Sequence, residues 1–259
     1  MQTSRFDGKV VLITGGGSGF GRAAAMAFAQ EGARVVVSGR TQSTLDETVG
    51  LVQGAGGQAL AVAGDVSVAA DTRRMADAAV QAFGRLDCLI NNAGILGQGA
   101  RLCDLDEVTY DRVFAVDAKG VWLCMKYAIP HMLRNGGGAI VNVSSNQGLF
   151  ANRNNFEYVG AKHAVVGMTK AAAMDYGRDG IRVNGICPAA HETEMTTAYK
   201  AKVGMSDAQW EARLQAMYPA TGRLGKVREV VDVMLFLCSD AASNIHGISI
   251  PIDGGFSIQ

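Results

Sequence analysis

Short β-branched runs alternate with helix-like segments along the whole chain, and this alternation restricts the possible fold more than any other feature. Residues 10–14, 34–38, 59–63, 88–91, 139–144, 181–186 and 248–252 read as strands. Several are apolar at both odd and even positions, as strands covered on both faces are. Between them, residues 22–31, 44–52, 69–83, 108–133, 158–176 and 229–238 carry helical periodicity and good helix formers. The pattern predicts an α/β fold: a doubly wound parallel sheet of about seven strands, with helices on both faces and right-handed crossovers. A chain of 259 residues suits one large domain spanning 1–259. No repeat or Ser/Gly/Pro linker divides it. The one long stretch outside the alternation, residues 188–219, falls late, where a substrate lid can be inserted.

Lys plus Arg and Asp plus Glu both number 24. No net field or basic arm therefore favours nucleic acid, and little charge opposes self-association. The five cysteines are scattered without CxxC spacing, each in or beside an apolar stretch. They read as buried thiols in a reducing compartment, not as a disulfide framework or zinc site. The first residues lack the apolar core of a signal peptide, and no run reaches membrane-spanning length. A soluble cytoplasmic protein with no membrane contact is the expectation.

The first strand runs directly into Thr14-Gly15-Gly16-Gly17-Ser18-Gly19-Phe20-Gly21, followed by a helix. Glycine lets a backbone approach a pyrophosphate closely and accept positive φ, while free N–H groups at the helix start attract its charge. The spacing is T-G-x-x-x-G-x-G, carried by Gly15, Gly19 and Gly21, and not the G-x-G-x-x-G fingerprint. Four more segments follow in order: Asp65-Val66, Asn91-Asn92-Ala93-Gly94, Ser144-Ser145, and Tyr158-Val159-Gly160-Ala161-Lys162. With these motifs and the closing Asp253-Gly254-Gly255, the chain closely resembles the short-chain dehydrogenase/reductase family over nearly its whole length. The resemblance implies a Rossmann-type sheet and an NAD(P)-dependent oxidoreductase acting on CH–OH groups.

By that resemblance, Ser145, Tyr158 and Lys162 are the catalytic residues. Tyr158 and Lys162 lie four apart and share one helix face. The ammonium favours the phenolate, so that the tyrosine acts as general acid or base, and Ser145 bonds the substrate oxygen as charge develops on it. Hydride passes directly between cofactor and carbon, with no metal. The resemblance also puts Ser18, Phe20 and the turn glycines at the cofactor phosphates, and Asp65 and Val66 at the adenine. Asn92, Ala93 and Gly94 line the cleft, and Pro188, Ala189, His191 and Thr193 meet the nicotinamide end. Asn91 ties neighbouring strands.

The second strand ends Ser38-Gly39-Arg40, with glycine where NAD-users of the family commonly carry Asp. A guanidinium at Arg40 suits a 2′-phosphate, so NADP(H) is favoured over NAD(H), although Ser18 stands where many NADP-users carry Arg or Lys. Two positions depart from the family pattern. Asp117 replaces the asparagine that completes a water relay to the lysine, and His191 replaces a small aliphatic residue beside Pro188-Ala189. An ionised Asp117 near Lys162 would strengthen the lysine's positive form while partly cancelling its field at Tyr158. His191, Glu192 and Glu194 are too closely spaced, and lack a second cluster, for a metal site.

Tyr199, Met205, Trp210 and Tyr218 in the lid stretch, with Leu149, Phe150 and Phe156, form an apolar cover or bury the lid itself. Arg153, among Asn152, Asn154 and Asn155, suits a carboxylate or phosphate. The expected partner is a small-molecule carbonyl or alcohol. The resemblance implies a homotetramer or homodimer packed through the helices at 108–133 and 158–176 and the C-terminal strand. Two other readings stand beside an NADP(H)-dependent ketoreductase. One is an NAD-dependent dehydrogenase of sugars or hydroxysteroids; the other is a catalytically silent nucleotide-binding regulator, motivated by Asp117 and Ala189.

Overall fold

The computed structural model describes residues 4–258. Seven parallel strands form one sheet in the order β3-β2-β1-β4-β5-β6-β7. They are β1 (Val10–Thr14), β2 (Arg34–Gly39), β3 (Gln58–Ala63), β4 (Cys88–Asn91), β5 (Gly138–Val143), β6 (Ile181–Pro188) and β7 (Ser249–Ile252). The order reverses direction between β1 and β4, the switch point at whose carboxyl ends open α/β sheets bind ligands. β1 is buried along its length and β4 likewise, as the continuous apolar runs require.

One face of the sheet carries α1 (Gly19–Gln30), α2 (Gln42–Gly54) and, later in the chain, the helix Val227–Cys238. Their core gathers Phe28, Leu45, Met234 and Leu235 against Val11, Ile13, Val35 and Val37. The other face carries α3 (Ala69–Phe83), α4 (Glu107–Phe114), α5 (Gly120–Arg134) and α6 (Phe156–Tyr176). There Met75, Met132 and Val165 pack on Leu12, Leu89, Ile140 and Val183. Alternate strand residues thus serve opposite layers, which is the period-two geometry of a doubly covered sheet.

Three segments differ from the sequence expectation. α1 begins at Gly19, because the turn glycines supply its first turn. The single helix expected at 108–133 is α4 and α5 joined by a π-helical stretch, Ala115–Lys119. The stretch 188–219 contains α7 (Glu194–Val203) and α8 (Asp207–Met217), so the Val227–Cys238 helix is α9. The Thr193 side chain caps α7, and Ser206 with Gln209 forms a capping box on α8. Four cysteines are buried as expected, but Cys103 is exposed, because the loop after β4 turns outward at Leu102–Asp104 and leaves it no core to enter.

Candidate active site

Beyond β1 the chain turns through Gly15 and Gly19, whose φ angles of 66° and 49° lie in the left-handed region. A Cβ at Gly21 would sit 2.1 Å from the Gly15 carbonyl oxygen, so only glycine lets the turn close onto α1. At Gly19 a Cβ would meet nothing within 4 Å. Ser18 is the N-cap of α1 and its side chain makes no capping bond, which leaves the first-turn N–H groups facing that open space. Arg22 donates to the Gly17 carbonyl at 2.6 Å and Thr48 to that of Gly16 at 2.9 Å, bracing the turn from behind. Asn92 Nδ2 donates to the Thr14 and Gly15 carbonyls at 2.9 and 3.2 Å, and the Asn92 and Ala93 N–H groups both reach Thr14 Oγ1 at 3.0 Å. A rigid cradle of backbone donors at a helix start, with room above it, fits the pyrophosphate of a dinucleotide.

Ser144 and Ser145 follow β5 directly, where they divide two tasks. Ser144 is buried and donates to the Lys162 carbonyl at 2.9 Å, tying the strand to α6. Ser145 Oγ accepts from the Gln147 N–H at 3.2 Å and donates to Asn146 Oδ1 at 3.2 Å. A Cβ at Gly148 would collide with Ser144 Oγ and with the Lys162 backbone, so glycine seats this turn directly on α6. Asn91, also buried, donates to Asn142 Oδ1 at 2.8 Å and joins β4 to β5.

Tyr158 and Lys162 share a face of α6, with the ammonium 5.5 Å from the phenol ring centroid. Lys162 is 4% exposed and Asp117 is fully buried, and their Nζ and Oδ2 atoms stand 3.0 Å apart. The π-helical stretch carries Asp117 inward on the buried side of the helix. One extra residue in a turn re-aims a side chain, and such bulges recur at functional sites. Asp117 Oδ1 also accepts the Ile95 N–H at 2.8 Å, and Lys162 donates to the Val143 carbonyl at 3.3 Å. Burial works against the Lys162 ammonium, but the charges of Asp117 and Tyr158 outweigh it and hold its pKa above the ordinary lysine value. Gly94 passes against this pair: a Cβ there would lie 3.1 Å from Asp117 Oδ2 and 3.2 Å from Lys162 Nζ.

The remaining predicted residues are spread around the same end of the sheet. Arg40 is exposed just past β2 and makes no ion pair with any described residue. Asp65 Oδ1 accepts from the N–H and hydroxyl of Ser67, at 2.8 and 2.7 Å. Val66 is buried against Gly120 and leaves little surface free. Pro188 closes β6 beside Ile252, and the Ala189 N–H donates to the Ile252 carbonyl at 3.1 Å. Thr193 Oγ1 accepts from the Thr196 N–H at 3.4 Å.

His191 is 3% exposed, and its Nδ1 donates to the Ala189 carbonyl at 2.9 Å. Burial lowers its pKa, which leaves a neutral ring whose Nε2 lone pair has no partner among the described residues. That ring stands edge-on to Phe20 with centroids 5.2 Å apart, linking the start of the 188–219 stretch to the glycine turn. Among the described residues no group of three or more His, Cys, Asp or Glu is placed to hold a metal ion. Glu157, which sequence reasoning passed over, is fully buried beside Tyr158 and accepts the Gln98 N–H at 2.7 Å.

Residues 15–257 match a family described as Enoyl-(Acyl carrier protein) reductase. The chain is 40% identical over 252 residues to meso-2,3-butanediol dehydrogenase of Serratia marcescens, covering 97% of this chain and 95% of that one. It is 38% identical over 261 residues to cyclohexanol dehydrogenase of Acinetobacter sp. strain SE19, covering 99% and 98%. The crystal structure of levodione reductase superposes with a TM-score of 0.92 at 35% identity, covering 98% of this chain and 99% of that one. The chain belongs to the short-chain dehydrogenase/reductase family. It is therefore an oxidoreductase, and its family works with a nicotinamide dinucleotide. No helix among its described residues is long and apolar enough to cross a membrane.

Proposed function

We propose that this oxidoreductase interconverts a secondary alcohol and its ketone, using NADP(H), with Tyr158 as the general acid and base. The observation that carries the reading is the buried Lys162 ammonium, held 5.5 Å from the Tyr158 ring by Asp117 and the Val143 carbonyl. A fixed cation beside a phenol stabilises the phenolate, which takes the alcohol proton in oxidation; the phenol returns it to the carbonyl oxygen in reduction. Ser145 donates its hydroxyl to the same substrate oxygen. When bound, the nicotinamide supplies or accepts the hydride.

The turn from Gly15 to Gly21 holds the pyrophosphate, Asp65 and Val66 flank the adenine, and Asn92, Ala93 and Gly94 line the cleft between. Arg40, exposed and without an ion pair among the described residues, binds the 2′-phosphate, for which Gly39 leaves no competing carboxylate. His191, packed on Phe20, sits under the nicotinamide end with Pro188, Ala189 and Thr193. The segment 188–219 with α7 and α8 is the substrate lid on a single domain.

The names of the relatives favour a compact, uncharged ketone or alcohol, such as a cyclohexanol or a vicinal diol. Exposed Val108, Trp122 and Met174 on α4, α5 and α6 are the apolar surface through which a dimer or tetramer packs. The test is NADPH and NADH oxidation against cyclohexanone, diacetyl and a crotonyl thioester. Reduction of the ketones with NADPH preferred is the expected result. Turnover of the thioester alone would move the reading to the enoyl reduction named in the family description.

A further inference from the structure

The loop that leaves β4 lies along α6 and is fastened at two points by buried carboxylates, one on the π-helical stretch and one on α6. Asp117 accepts the N–H of Ile95 at 2.8 Å, and Glu157 accepts the N–H of Gln98 at 2.7 Å. Only Asp117 has a cation beside it. Glu157 is fully buried, its second oxygen has no partner among the described residues, and it forms no ion pair there. A buried carboxylate of this kind costs stability, so its presence calls for a compensating task.

The geometry around Glu157 is built for the loop. A Cβ at Gly97 would sit 2.1 Å from Glu157 Oε1, so glycine alone lets the carboxylate lie against this backbone. The tether then continues outward. Gln98 Oε1 accepts the Asp106 N–H at 3.0 Å, and Asp106 caps α4 through the Thr109 N–H at 2.7 Å. α4 runs into the π-helical stretch holding Asp117, which returns to α6 at Lys162. The hydrogen bonds close a ring from Glu157 through residues 95–98 and α4 back to the helix of Tyr158.

We infer that Glu157 is a positioning residue: it holds the loop of residues 94–98 against the first turn of α6 and thereby sets the wall of the cleft beside Tyr158 and Lys162. This inference rests on the reading of the site given above. Without the clamp, the loop keeps the Ile95 bond to Asp117 and the Gln98 side-chain bond to the Asp106 N–H, but neither ties residues 97–98 to α6. Its far half then moves relative to Tyr158, and substrate is held less well for the same chemistry.

The experiment compares wild type, Glu157→Gln, Glu157→Ala and Gly97→Ala by hydrogen exchange over residues 92–100, thermal melting, and steady-state kinetics with NADPH and cyclohexanone. In Glu157→Ala and Gly97→Ala, exchange across residues 95–98 quickens and KM rises about tenfold or more, with kcat changed far less. Glu157→Gln stays within about twofold of wild type, because its amide oxygen accepts the same N–H. Unchanged exchange and KM in Glu157→Ala would overturn the inference, as would Glu157→Gln behaving like the alanine variant. Should Glu157→Ala fail to fold, Gly97→Ala and Glu157→Gln decide in the same way. If even wild type reduces no ketone, the functional reading fails, while exchange at residues 95–98 still decides whether Glu157 holds the loop.

Discussion

Replacing Asp117 with asparagine removes a full charge from behind Lys162 while keeping the side chain's size. The consequence for Tyr158 follows from two distances. At an effective dielectric of about 20, the ammonium 5.5 Å from the ring stabilises a phenolate by roughly 3 kcal/mol. The Asp117 carboxylate, no more than about 8.5 Å from the same ring, opposes this by roughly 2 kcal/mol. Asp117→Asn therefore strengthens the net field on Tyr158 by roughly 2 kcal/mol. The rising limb of kcat/KM for alcohol oxidation should move to lower pH.

The same change acts on Lys162 with the opposite sign. Asp117 helps hold the lysine's pKa above its ordinary value against burial, so without it the ammonium is lost at lower pH than in wild type. Because the folded pKa is raised, this group's stabilisation is complete below the ordinary lysine value, ~10.4, and fades as pH climbs through the folded one. The gap in melting temperature between wild type and Asp117→Asn should therefore be widest near neutral pH, where the variant should lose about 3 kcal/mol for breaking a buried pair, and should narrow as pH climbs towards and past the ordinary lysine value. Steady-state oxidation rates from pH 6 to 10.5 and melting curves over the same range supply both readings. A pH–rate profile that superposes on wild type, in a folded variant, would show that Asp117 exerts no such field at Tyr158.

Three further outcomes follow from the same geometry. Arg40→Asp should reverse the cofactor preference, raising the KM for NADPH about tenfold or more while improving that for NADH, since a carboxylate repels the 2′-phosphate and bonds ribose hydroxyls. Gly21→Ala should abolish cofactor binding in calorimetry and lower the melting temperature, because its Cβ would lie 2.1 Å from the Gly15 carbonyl oxygen. Ser145→Ala should lower kcat about a hundredfold with little change in NADPH affinity, whereas Ser144→Ala should mainly reduce stability through the lost bond to Lys162.

The sheet was legible because its signal is strong and redundant: seven β-branched runs, each between amphipathic helices, stand within a few residues of β1 to β7. The glycine turn was legible for a related reason, since Gly15 and Gly21 answer to backbone geometry that no other residue meets. Periodicity could not reveal the π-helical stretch, because one inserted residue shifts the pattern less than ordinary sequence variation does. The capping box of α8 and the αL glycine after α7 were present at Ser206, Gln209 and Gly204, but these weakly amphipathic helices lack the apolar stripe that usually draws the eye. Glu157 gave no warning. An acid in the first turn of a helix ordinarily faces solvent near the positive end of the dipole, and only the loop from β4 folding over it makes it interior.

The proposed role of Tyr158, moving the proton that accompanies hydride transfer, is decided by Tyr158→Phe. The measurement is NADPH oxidation with cyclohexanone or diacetyl, made at saturating cofactor after calorimetry has established that the variant binds NADPH as wild type does. The expected result is a loss of about a hundredfold or more in kcat with cofactor affinity preserved. A Tyr158→Phe protein that binds NADPH normally and reduces the ketone within about threefold of the wild-type rate would contradict it, since general acid catalysis contributes far more than that.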